Sequence, residues 1–203
     1  MIRRGGARLL AALPLVFVPA HARAHAPIHG IGPFYNGVLH PVLAAEHVLL
    51  LIALGLLLGQ HAPRLSRPGW VAFAAALCVG LVAGQGLGWT IPSSVLLALA
   101  LIAGLLVALE RSFGLVPVLF LAIAAGFGLG FDTARDIAGH GDPWPTLAGT
   151  ALGGLIAISL IGGLAAILSR NWQRIGLRIA GSWVAASAMI VLVFAIAGPR
   201  LQG

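Results

Sequence analysis

Beyond Ile31 the chain alternates between long apolar runs and short breaks rich in Pro, Gly and charge. Six runs stand out, at residues 38–59, 69–89, 93–109, 113–131, 146–168 and 177–197. Each is near the roughly 20 residues an α-helix needs to cross the hydrocarbon of a bilayer. The other spanning solution, a closed β-barrel, shows alternation over about ten residues, and these runs of Leu, Ala and Ile do not. The pattern therefore predicts an all-α, polytopic membrane bundle of about six transmembrane helices within a single domain, residues 38–203.

The first apolar stretch is of a different kind. Arg3, Arg4 and Arg8 precede a short apolar core interrupted by Pro14 and Pro19, and Ala22-Arg23-Ala24 reads as a cleavage site. These are the parts of an export signal, so residues 1–24 are expected to be a cleaved signal peptide. Residues 25–37 then form an exterior segment carrying His25 and His29.

Composition agrees with the bundle: 60% of residues are hydrophobic and 8% are charged, with a mean hydropathy of +1.03. The net charge of +7 comes from arginines alone. With an inward-running first helix, Arg64, Arg67, Arg111, Arg170, Arg174 and Arg178 fall in or beside cytoplasmic loops, and only Arg135 and Arg200 fall outside. That asymmetry follows the positive-inside rule, so topology rather than nucleic acid accounts for the charge. The expected location is a bacterial inner membrane with both mature termini periplasmic. Cys78 is the single cysteine, sits in an apolar run and is expected to be a small buried hydrophobe, and no intrachain disulfide can form.

Candidate chemistry collects at one face. His25, His29, His40, Glu46, His47, Asp132, Asp136, His140 and Asp142 all fall at or near the predicted external side. Ionisable side chains are costly in hydrocarbon and mark functional sites there. On one continuous helix His40 and His47 would share a face but stand about 10.5 Å apart along the axis. That separation suits two stations of a path, or ligands completed by other helices, better than one chelate. Pro41 is expected in the first turn, with His40 at the helix entrance. Glu46 points about 100° away from His47, towards another neighbour.

The segment from Phe131 to Pro145 reads as a loop supplying Asp132, Asp136, His140 and Asp142, a mixture of imidazole and carboxylate that suits a divalent metal. Gly80, Gly84 and Gly88, Gly126 and Gly130, and Gly149 and Gly153 are small-xxx-small patterns that let helices approach closely. Gln85 is a candidate interhelical donor, Glu110-Arg111 a candidate interfacial ion pair, and Trp70, Trp89, Trp144 and Trp172 an aromatic belt.

His40-Pro41-Val42-Leu43-Ala44-Ala45-Glu46-His47, followed by Leu-rich sequence through Gly55, resembles the HupE/UreJ family of hydrogenase and urease accessory membrane proteins, whose first helix has the form HPxxGxDHxLxMxAVG. Arg178-Ile179-Ala180-Gly181 and the six-helix plan also match. Ala44 and Glu46 stand where that family has Gly and Asp, and a second motif of the form HGxAHGxE is replaced by Gly126-Phe127-Gly128-Leu129-Gly130-Phe131-Asp132. The resemblance implies a permease for nickel or cobalt, with zinc or copper as further candidates, serving a metalloenzyme maturation pathway.

Two mechanisms use these ligands. A permease would gather a divalent cation at His25 and His29, attract it with Asp132, Asp136 and His140, and coordinate it briefly at His40, Glu46 and His47. The alternative is an intramembrane zinc-dependent hydrolase with its site near the same face, or a metal-sensing accessory protein. No HExxH motif is present, and the resemblance places the transporter before the enzyme; with no ATP-binding motif, any direct use of ATP would need a partner protein.

Overall fold

The computed structural model describes residues 28, 30–61, 66–86, 88–110, 114–137 and 142–197. They form seven α-helices, and no strand occurs among them. The helices are α1 (Gly32–Leu43), α2 (Ala45–Gln60), α3 (Ser66–Gly86), α4 (Ser93–Leu109), α5 (Leu115–Ile137), α6 (Trp144–Ile167) and α7 (Asn171–Ala197). The expected signal peptide, His25, His29 and His140 lie outside the described residues.

The six apolar runs reappear with two main changes of outline. The first run is two helices, α1 and α2, bent by 72° at a break. α3, α5, α6 and α7 are each long and apolar enough to cross a membrane, and the bent pair makes a fifth span if counted as one. The expectation of six spans therefore rests on α4, an apolar helix of 17 residues. The run expected to end at residue 131 continues as helix to Ile137, so Asp132 and Asp136 are helical residues and not loop residues.

α2 is the centre of the bundle, touching α1 and every later helix. Leu50, Leu51 and every residue from Ala53 to Gly59 are buried, as expected for a helix apolar on all sides. The remaining helices pair around it through glycine. Gly80 and Gly84 of α3 interleave with Gly126 and Gly130 of α5, and a Cβ at Gly130 would stand 2.4 Å from the Leu77 carbonyl oxygen. Gly149 and Gly153 of α6 admit the backbone of α1, where their Cβ atoms would meet the Phe34 and Val38 oxygens at 2.1 and 2.2 Å. Gly104 and Gly181 bring α4 and α7 together in the same way. These contacts fill the role that small-xxx-small patterns play where lipid removes the hydrophobic drive for helix pairing.

One smaller expectation is corrected. Cys78 is exposed on the outer face of α3 and is not a core residue. Glu110, which ends α4 with φ of 50°, pairs with Arg174 at 2.5 Å and Arg178 at 3.6 Å on α7, while Arg111 is outside the described residues. Gln85 does donate between helices, to the Ala134 carbonyl oxygen at 3.2 Å. Trp89, Trp144 and Trp172 are exposed, whereas Trp70 is partly buried against the core.

Candidate metal site at the broken helix

Pro41 sets up the break. It lies near the end of α1, not in a first turn, and with no N–H it cannot bond the carbonyl of Gly37 four residues earlier. Thr150 of α6 supplies the missing donor, its Oγ1 reaching Gly37 O at 3.2 Å while also bonding Thr146 O at 3.1 Å. Three residues after Pro41, Ala44 leaves the helical region (φ −91°, ψ 128°) and α2 begins. Backbone that leaves the helix at membrane depth survives only where protein covers it, and Ala44 is 1% exposed.

The bend changes the distance that matters most. His40 now sits in the last turn of α1 and His47 in the first turn of α2, with ring centroids 5.6 Å apart, well below the axial separation of a continuous helix. Both rings face α5. Its glycine stripe, Gly126 and Gly130, is turned to α3, and Asp132, two residues and about 200° further on, is turned towards α2. Asp136, one turn later, reaches α1.

The contacts follow from that register. His47 Nε2 lies 3.0 Å from Asp132 Oδ2, and His40 Nε2 lies 3.6 Å from Asp136 Oδ2. Thr133 Oγ1 stands 3.4 Å from His40 Nδ1. His47 and Thr133 are fully buried, and the Asp132 side chain is 18% exposed. His47 Nδ1 is also buried and has no hydrogen-bond partner among the described residues. A buried polar atom left unpaired costs about 1–3 kcal/mol, which makes that nitrogen the anomaly of the site.

Of the eight residues expected to handle metal, the fold brings four together: His40, His47, Asp132 and Asp136. Glu46 lies in the first turn of α2, where unpaired backbone N–H groups favour a carboxylate, and its side chain makes no ion pair or hydrogen bond among the described residues. His25, His29 and His140 lie outside them. Among the described residues no group of three or more His, Cys, Asp or Glu is arranged as a ready metal cage. Thr133 and Thr150 were not expected at all. The signal for Thr150 was present in Pro41, which demands a replacement donor from a neighbouring helix; nothing in the sequence marked Thr133.

The chain matches the family described as HupE / UreJ protein over residues 13–191, most of its length. The chain belongs to the HupE/UreJ family. Neither a curated protein nor a solved structure matches it. HupE/UreJ membership and the apolar helices together make this a helical membrane protein of a metal-related accessory family.

Proposed function

We propose that this HupE/UreJ protein is a permease for a divalent transition-metal cation, nickel or cobalt before zinc or copper, acting at the inner membrane in support of metalloenzyme maturation. The observation that carries the reading is the pair of imidazoles, His47 buried and His40 partly buried, each facing a carboxylate of α5, at a break between two helices that together make a span. Broken helices recur at transporter binding sites because the freed backbone groups supply ligands at membrane depth. A helix C-terminus favours a cation, and α1 ends at Leu43, within one turn of His40.

Passage, unlike storage, calls for weak coordination shared between stations. An ion must bind well enough to enter and weakly enough to leave. In this reading His25, His29 and His140 gather the ion at the periplasmic face, Asp136 and His40 receive it, and His47, paired with Asp132, holds it deeper. An inside-negative potential of about 100 mV would drive a divalent cation inward by roughly 4.6 kcal/mol.

The test is uptake by protein reconstituted in lipid vesicles, offered nickel, cobalt, zinc, copper and calcium in turn. Saturable uptake of nickel that cobalt competes and calcium does not is the expected result. Tight stoichiometric binding with no uptake of any of these ions would replace the permease reading with an enzyme or sensor.

A further inference from the structure

The two nitrogens of His47 are treated differently by the fold. Nε2 faces Asp132 Oδ2 at 3.0 Å, and Nδ1 is buried without a partner among the described residues. A carboxylate only accepts hydrogen bonds, so a neutral imidazole facing it carries its proton on Nε2 and keeps its lone pair on Nδ1.

A cation has two routes to this ring. Atoms 3.0 Å apart are near enough for one ion to take both Nε2 and Oδ2, but the ring proton would then move to Nδ1, leaving a buried donor with no acceptor among the described residues. Coordination through Nδ1 keeps the Nε2–H···Asp132 bond and satisfies both nitrogens at once. Resting on the metal-handling reading above, we propose that Asp132 is a positioning residue that fixes His47 as the Nε2–H tautomer, so that Nδ1 is the atom offered to the ion. An outer carboxylate that orients a ligating histidine also raises its basicity. The deep station is therefore led by nitrogen, which favours nickel, cobalt, zinc or copper over magnesium or calcium even though the Asp132 carboxylate lies beside it.

Histidine nitrogen NMR of the full chain in lipid nanodiscs tests this directly, with zinc as a diamagnetic probe and His47 assigned from the spectrum of His47→Gln. The expected result is a neutral ring with Nε2 protonated, whose Nδ1 resonance alone shifts on adding zinc. A shift at Nε2, or a ring protonated on both nitrogens, would overturn the proposal. Zinc affinity supplies the second readout: Asp132→Leu should weaken binding about 10- to 100-fold, and Asp132→Asn, whose amide oxygen still accepts from Nε2–H, should restore most of it. Equal losses in the two variants would make Asp132 a direct ligand and refute the positioning role. Vesicle uptake separates the two failures, since nickel uptake with no zinc effect on Nδ1 sinks this proposal alone, and loss of both sinks the permease as well.

Discussion

Thr150→Val isolates the contact that makes the broken span tenable. Valine keeps the shape of threonine and removes the side-chain donor to the Gly37 carbonyl, whose i+4 position is Pro41 and has no N–H. The bond joins a buried side chain to backbone between α6 and α1. Leaving a buried acceptor unsatisfied costs about 1–3 kcal/mol, and measured interhelical hydrogen bonds in membranes fall near the lower end, at roughly 0.6–1.7 kcal/mol. A loss of about 1 kcal/mol is therefore expected, read as reversible unfolding of the protein in bicelles. The mechanism is distinguished by a cycle with Pro41→Ala. Alanine restores an N–H four residues after Gly37, so in that background Thr150→Val should cost little. Independent sites add to within about 0.3–0.5 kcal/mol, so a cost of Thr150→Val that is the same with Pro41 and with Ala would refute the replacement-donor account.

Gly130→Ala places a Cβ 2.4 Å from the Leu77 carbonyl oxygen, which forces α5 away from α3; a stability loss of about 1–3 kcal/mol is expected in the same unfolding assay, together with reduced nickel uptake as Asp132 moves. His47→Ala should cost more metal-dependent growth or uptake than His140→Ala, and equal effects would displace the central station from α2. Glu110→Gln removes the partner of Arg174 and Arg178, whose side chains are 46% and 49% exposed, so a stability change below about 1 kcal/mol is expected, with zinc affinity unaltered because the pair lies near the opposite end of α2 from His47.

The helical class and the four ionisable side chains that the fold brings together were legible because apolar runs of membrane length and ionisable residues beside them are rare signals with few readings. The geometry was not. A hydropathy run does not register a bend, so residues 38–59 read as one helix, and the separation of His40 and His47 was taken along an axis that does not exist. Polarity misled at the other side of the site, where Asp132, Arg135 and Asp136 looked like the start of a loop. They are helical residues, and the turns at Asp132 and Asp136 face imidazoles from α2 and α1 that pair with their carboxylates. Cys78 shows a converse error: in a membrane bundle an apolar position does not imply the core, because lipid accepts it equally well.

The most direct test of the account is the initial rate of nickel uptake into vesicles under an imposed inside-negative potential, comparing the native chain with His40→Ala/His47→Ala. The ion's route through the break between α1 and α2 requires saturable uptake in the native protein and its loss in a folded double variant. Native-level uptake without either imidazole would contradict it.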